Sequence, residues 1–327
     1  MSNSTKTESR YLTLKKRSNL LRQIRAFFYE RDVIEVDTPI LSQAATPDVH
    51  LHSLKTAIQV PGIKEPQSYY LHTSPEYPMK RLLCEGSGDI YYLGKVFRDG
   101  DLSPRHQIEF TMLEWYRLDF NMQQLIDEVV VLVLAVLNKP LEIEQLTYQQ
   151  AFQKYANIEN VFSANSQDYQ ACLKINNIAE IVGVDDSDTE LWEQLVLTEV
   201  IEPYLGKNGL TVLTHYPAKD AALAQISADN PMTAERFEVF VNGMELANGY
   251  YELAAADVYE QRFLESLEKR QQFGLPAVPL DKALMACLKQ PGLPDCSGVA
   301  LGIDRLFLLQ QNFLDIKQGL CFGVDRA

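Results

Sequence analysis

The sequence is short of the features that would mark a membrane, secreted or metal-stapled protein. Its longest unbroken apolar run, Val129 to Leu137, is nine residues, against the roughly 20 that a helix needs to cross a bilayer. That run reads as a buried helix. The N-terminus, MSNSTKTESRYLTLKK, has no apolar core and does not suit a secretory signal. The five cysteines are odd in number and none are spaced CxxC. A disulfide framework or zinc site is therefore not expected, and a reducing compartment, the cytoplasm, is. Positive charge is scarce too: 30 Lys and Arg face 44 Asp and Glu, a net charge of −14. A protein that grips nucleic acid over a wide surface neutralises many phosphates with a basic face. An extended tRNA or DNA partner is disfavoured on that ground. No repeat or low-complexity tract is visible.

What is present is a chain of 327 residues, 46% hydrophobic, ample for a sizeable core. Residues 1–12 read as a loose leader. From Thr13 to about Asp32, apolar Leu14, Leu20, Leu21, Ile24, Phe27 and Phe28 recur at helical spacing among Arg and Lys. A short extended segment, Val33 to Val36, stops at Thr38-Pro39. Residues 90–97 and 107–117 read as strands joined by the polar loop RDGDLSPRH. The stretch 121–225 looks mostly helical. Residues 236–253 read as a hairpin turning at Asn242-Gly243. A helix near 256–272 follows, then a small-residue strand, SGVALG, running into a helix near Asp304. This order predicts an α+β domain over 13–327: a mostly antiparallel sheet flanked by helices, with 121–225 as a helical insertion.

Three segments concentrate chemistry. Strand alternation puts Phe110, Met112, Glu114 and Tyr116 on one face, and the loop before them supplies Arg98, Arg105 and His106. Arginine suits bidentate phosphate contact and an aromatic ring suits a base, so a nucleoside triphosphate fits; an ordinary half-buried hairpin fits as well. The second segment carries Glu238, Glu245, Asn248 and Glu252, a set suited to Mg²⁺ and an ammonium or to a solvated acidic face. Glu245 and Glu252 are seven apart, so they converge only if a bulge intervenes, and Ala247-Asn248-Gly249 is the expected place. The third runs from Gly298 to Arg305, where small residues admit a ligand and Arg305 sits near a helix start. Ser74-Pro75-Glu76 adds a turn with a carboxylate.

In this order the segments resemble the three motifs of class II aminoacyl-tRNA synthetases: the helix and strand ending at Pro39, the Phe97-Arg98 strand with its loop and Glu109-Phe110, and Gly302-Ile303-Asp304-Arg305. Ser74-Pro75-Glu76, EFTMLEWY and MELANGYYEL resemble the lysyl branch. The motif 1 helix begins near residue 13, which leaves no room for an anticodon-binding barrel. Ala300 stands where lysyl-tRNA synthetases have glycine, and the ending Val324-Asp325-Arg326-Ala327 matches too. The chain thus resembles the elongation factor P–(R)-β-lysine ligase family. The motif 2 loop departs from the family pattern at Gly100, where glutamate is usual, and at Gln107-Ile108, where Asn-Pro is usual.

The resemblance implies ATP and Mg²⁺, (R)-β-lysine as substrate, elongation factor P as acceptor, and a homodimer built on motif 1. It gives Arg98 and Arg305 catalytic roles, Arg98 on the substrate carboxylate and α-phosphate, and Arg305 with His106 on the outer phosphates. Phe110 stacks on adenine, and Asp99, Gly100, Gln107, Glu245, Leu246 and Gly302 complete the ATP site. Glu238 and Glu245 hold the metal. Tyr116 and Glu252 take the ε-ammonium, Glu76 beside Ser74 the amine nearer the carboxylate, and Asn248 the carboxylate end. Ala300 tunes specificity, one methyl being worth about 1–3 kcal/mol in a tight pocket. A tRNA-charging enzyme and a non-catalytic paralogue are the alternatives.

Overall fold

The computed structural model describes residues 9–179 and 183–327. In chain order the elements are α1 (Arg10–Tyr29), β1 (Ile34–Glu35), β2 (Leu41–Ser42), β3 (Lys55–Ile58), β4 (Gln67–Leu71), α2 (Glu76–Cys84), β5 (Ile90–Phe97), β6 (Glu109–Leu118), α3 (Met122–Leu137), β7 (Glu142–Thr147), α4 (Tyr148–Ala151), α5 (Ser166–Ile175), α6 (Thr189–Val196), β8 (Gly209–Pro217), β9 (Thr233–Val241), β10 (Met244–Tyr251), α7 (Ala256–Gln272), α8 (Lys282–Lys289), β11 (Cys296–Gly302) and α9 (Ile303–Gln311). They fall into two compact units. One comprises Met1–Asp119, Glu128–Asn138 and Ala254–Ala327; the other comprises Phe120–Asp127 and Lys139–Leu253.

In the first unit the main strands run β1-β5-β6-β11, with β2-β4-β3 as a separate small sheet. β5 and β6 pair antiparallel without a slip, from Ile90 opposite Tyr116 to Phe97 opposite Glu109. β11 pairs antiparallel with the other edge of β6, from Cys296 opposite Leu118 to Gly302 opposite Met112. Helix α1 covers one face of these strands. It is capped by the Ser9 hydroxyl, which accepts from the Leu12 amide at 3.4 Å, and it buries Leu20, Ile24, Phe27 and Phe28. Phe28 stacks on Tyr91 at 4.4 Å and meets Trp115 edge-on at 5.4 Å. The helix spans Arg10–Tyr29 rather than Thr13 to Asp32, because Ser9 caps it early and Asp32 turns to a φ of +56°. A buried ion pair ties the ends of this layer: Arg17 of α1 lies 2.6 Å from Asp304 of α9 and donates to the Thr111 hydroxyl at 2.9 Å. Asp304 also accepts from the Thr111 amide at 2.8 Å.

In the second unit the strands run β10-β9-β8-β7. The stretch 121–225, expected to be mostly helical, also holds a strand pair that the expectation did not include. The stretch contains β7 and β8, paired in parallel from Glu142 opposite Gly209 to Thr147 opposite Thr214. The run GLTVLTHYP is β-rich and buried along almost its whole length, as a strand between two neighbours is. The remaining helical segments enclose a core of Tyr148, Phe152, Tyr169, Trp192, Val196, Val200 and Ile201 against Leu213 and Phe240. The hairpin turns at Asn242 and Gly243 with φ values of +53° and +62°, the left-handed pair that a two-residue turn needs.

Candidate active site

Within the first unit, antiparallel pairing puts Phe110, Met112, Glu114 and Tyr116 of β6 on one face with Tyr92 and Gly94 of β5 and with Gly298, Ala300 and Gly302 of β11. Ala300 is directly opposite Glu114, and Gly298 is opposite Tyr116. Small residues on β11 keep this face low. Tyr92 lies folded over Gly94, where a Cβ would fall 2.4 Å from its hydroxyl, and donates to the Lys95 carbonyl at 2.9 Å.

Glu114 is the hub of this face. It is 3% exposed and accepts from Ser74 at 2.7 Å and from Tyr116 at 2.9 Å. Burial, reinforced by the charge of Glu76, pushes its carboxyl up to about 8. Ser74 also accepts from the Glu76 amide at 3.0 Å, so one hydroxyl sets the start of α2 and orients Glu114. Glu76, in the first turn of α2, accepts at 2.6 Å from Lys80, one helical turn on. The Lys80 side chain is fully buried and donates again to the Tyr259 hydroxyl of α7 at 2.7 Å.

The loop between β5 and β6 starts at Arg98, whose amide extends the ladder to the Ile108 carbonyl at 2.9 Å. The Arg98 guanidinium stands over the Phe110 ring, 5.2 Å from its centre. Asp99 is anchored through its amide to the His52 carbonyl at 2.8 Å. Gly100 has a φ of +83°, a left-handed turn in which a glutamate would be strained. Arg305, in the first turn of α9, donates to Nε2 of His106. Arginine cannot accept, so the proton of this imidazole sits on Nδ1 and is shared with Ser103 at 2.7 Å. Arg305 also donates to the Arg105 carbonyl at 3.4 Å. Gln107, 2% exposed, has its side chain committed to the main chain: it donates to the His106 carbonyl and accepts from the Val324 amide at 3.2 Å.

Within the second unit, the hairpin register resolves the seven-residue problem. Glu245 is opposite Phe240 and Ala247 is opposite Val239, so Leu246 is the extra residue of a bulge. The bulge lies before Ala247, not within 247–249 as expected, because buried Leu246 takes the irregular position while Ala247-Asn248-Gly249 stay in register with β9. Glu238 pairs with Asn248, which puts Glu238, Glu245 and Asn248 on one face and carries Glu252 to the same side. Arg236 joins them: it donates to Glu238 at 2.6 Å, to Asn248 at 3.3 Å and to the Asp220 carbonyl at 2.7 Å. Burial raises the Glu238 carboxyl; the guanidinium lowers it and the charge of Glu245 raises it again. Two crowded carboxylates on one face are a fitting pair of oxygen donors for Mg²⁺, which completes its shell with water and phosphate. Among the described residues no group of three or more His, Cys, Asp or Glu forms a metal site by itself.

Lys80, Tyr259 and Arg236 are absent from the sequence reading, and Glu114 is placed on the right face there without a role. The Glu76–Lys80 spacing of four on a helix and the Arg236–Glu238 spacing of two on a strand were the available signals.

The family model for class II tRNA synthetases of the D, K and N type matches residues 3–326. The chain belongs to that family. Within it, a protein of Hamiltonella defensa subsp. Acyrthosiphon pisum (strain 5AT) is 43% identical over 314 residues, 96% of this chain and 95% of its own. Proteins of Yersinia pestis (strain Pestoides F) and Salmonella arizonae (strain ATCC BAA-731 / CDC346-86 / RSK2980) are 44% identical over 316 and 317 residues, with the same coverage. All three relatives carry the name elongation factor P–(R)-β-lysine ligase.

Proposed function

We propose that the chain is an ATP-dependent ligase that activates (R)-β-lysine as an adenylate and transfers it to a lysine side chain of elongation factor P. The observation that carries this reading is identity of 43–44% over 96% of the chain to ligases of that name, joined to a β6 face on which the buried Glu114 carboxylate lies opposite Ala300 and the Tyr116 phenol opposite Gly298. In the first step a substrate carboxylate oxygen attacks the α-phosphorus of ATP and pyrophosphate leaves. In the second, a neutral lysine amine of the acceptor attacks the carbonyl of the mixed anhydride and AMP leaves. No general base is needed for the first step; positioning and charge stabilisation suffice.

Arg98 takes the carboxylate and α-phosphate, and Phe110 gives up its guanidinium neighbour to stack on adenine. Arg305 and His106 take the outer phosphates, with Asp99, Gly100, Gln107, Glu245, Leu246 and Gly302 around the nucleotide. Glu238 and Glu245 hold Mg²⁺, which supplies charge neutralisation of the phosphates. Ser74, Glu76, Tyr116, Asn248, Glu252 and Ala300 form the amino-acid subsite. We read residues 13–327 as the catalytic domain with an insertion near 121–225, acting in the cytoplasm as a homodimer. The dimer reading is supported by exposed Tyr29 and Ile34 beside a groove lined by Arg25, Glu35 and Tyr91. A protein acceptor rather than tRNA suits the net charge of −14.

The test is mass spectrometry of elongation factor P after incubation with enzyme, ATP, Mg²⁺ and (R)-β-lysine or α-lysine. One β-lysyl increment on a single lysine is expected, with α-lysine a poor substitute. Efficient charging of tRNA with lysine and an unmodified factor would overturn the reading.

A further inference from the structure

The first unit holds a buried ammonium that the reaction itself does not use. Lys80 has no exposed side-chain surface, whereas its partner Glu76 keeps 22%. The ammonium is therefore behind the carboxylate, away from the accessible side. It donates to Glu76 Oε1 at 2.6 Å and to the Tyr259 hydroxyl at 2.7 Å. The rings of Tyr259 and Tyr116 lie 5.4 and 5.9 Å from it, within range of cation–π attraction. Tyr259 is itself fully buried and held edge-on by Phe263 at 5.5 Å. A cation on a flexible stem, fixed at this depth by a helix from another part of the chain, is a built feature rather than a surface pair.

We propose that Lys80 is a positioning residue for amino-acid recognition: anchored by Tyr259, it fixes the Glu76 carboxylate and supplies the positive charge beside it. The inference rests on the reading of Glu76 as the contact for a substrate amine. Two consequences follow from the geometry. Glu76 is locked at the first turn of α2 instead of swinging among rotamers, so an arriving ammonium meets an ordered acceptor. The charge of Glu76 also opposes ionisation of Glu114 across Ser74, and the ammonium between α2 and α7 offsets part of that opposition. The substrate then completes a balance already set, which favours a ligand whose amine lies at one fixed distance from its carboxylate.

The experiment is amino-acid-dependent ATP–pyrophosphate exchange with the full-length chain, comparing wild type, Lys80→Met, Tyr259→Phe and Glu76→Gln. Methionine keeps the length of the stem and removes the charge; phenylalanine removes one hydroxyl. Lys80→Met is expected to raise the amino-acid KM by about tenfold or more, with the ATP KM changed by less than about twofold. Tyr259→Phe should shift the amino-acid KM the same way by about threefold, with an unchanged melting temperature. A purely structural role would lower stability and leave the two KM values moving together. Wild-type amino-acid KM in Tyr259→Phe and Lys80→Met, with a raised KM in Glu76→Gln, overturns the role of Lys80 and leaves that of Glu76 standing. An unchanged KM in Glu76→Gln sinks the reading of Glu76 and the proposal with it. If Lys80→Met fails to fold, Tyr259→Phe decides by the same criterion.

Discussion

Affinity for the amino acid should climb with pH through the neutral range, and Glu114 should be the cause. This carboxyl is buried, and its desolvation together with the charge of Glu76 pushes it up to about 8 from an ordinary 4.5. In the empty protein at pH 6 it carries a proton. An ammonium placed against it favours the ionised form, so binding expels that proton whenever the pH lies below about 8. Each pH unit below that point costs about 1.4 kcal/mol of apparent affinity, so two units cost about 2.7 kcal/mol, or about a hundredfold. Isothermal titration of β-lysine from pH 6 to 9 should show this slope and a plateau above about 8, with close to one proton released near pH 7 in buffers of differing ionisation heat. Glu114→Gln should flatten the profile, because the amide oxygen goes on accepting from one of the Ser74 and Tyr116 hydroxyls while its NH2 donates to the other, without titrating. The same group makes stability fall with pH. The folded state binds the proton more tightly than the unfolded chain, so the benefit is full below about 4.5 and is lost as pH rises to about 8. A flat wild-type binding profile, or an unaltered slope in Glu114→Gln, would refute the reasoning.

Three further outcomes are expected. Arg17→Met should lower stability by about 3–5 kcal/mol in urea unfolding, because it strands the buried Asp304 carboxylate that Arg17 holds at 2.6 Å; replacing both partners with apolar residues should recover most of the loss. Ala300→Gly should move the ratio of kcat/KM for β-lysine over α-lysine toward α-lysine by about tenfold or more, the value of one methyl in a closed pocket, since Ala300 lies directly opposite Glu114. Gly206→Ala should cost more than about 2 kcal/mol by thermal melting, since φ is +65° there and the new Cβ would meet the Phe240 carbonyl at 2.3 Å.

Legibility in the sequence followed the range of the interactions involved. β5, β6, α7 and the Asn242-Gly243 turn carry their own periodicity or turn chemistry, and their positions were readable to within a residue or two. β8 was not, because its partner β7 lies more than sixty residues earlier and its burial hides the alternation of a half-exposed strand. The parity argument for Glu245 and Glu252 was sound in demanding one extra residue, yet parity is indifferent to where it falls; packing of Leu246 chose the place. Phe110, Glu114 and Tyr116 share a face by alternation alone, whereas Ala300 joins them only through the register of β11 on β6. What no local pattern discloses is which charges go inside. Lys80 looks like any helical lysine, and Arg236 like any strand arginine, until burial is known.

Those two cations, Lys80 with no exposed side-chain surface and Arg236 with 17%, follow one rule. Glu76 and Lys80 belong to the same helix, one turn apart; Glu238 and Arg236 belong to the same strand, two residues apart and on one face. In each case the element that brings a carboxylate into a buried setting brings its counter-charge with it. A carboxylate alone at such depth would cost several kcal/mol or would simply take up a proton, and either result would spoil a site meant to receive an ammonium or a metal. A cation from a distant element would arrive only once the whole fold had closed, whereas a partner four or two residues away is present as soon as the helix or strand forms. The internal cation cancels part of the carboxylate's pull on an incoming one, a loss smaller than the gain from holding the carboxylate in place. That loss is tolerable for a site that must discriminate between lysine isomers, because discrimination depends on the difference between two affinities and not on the size of either.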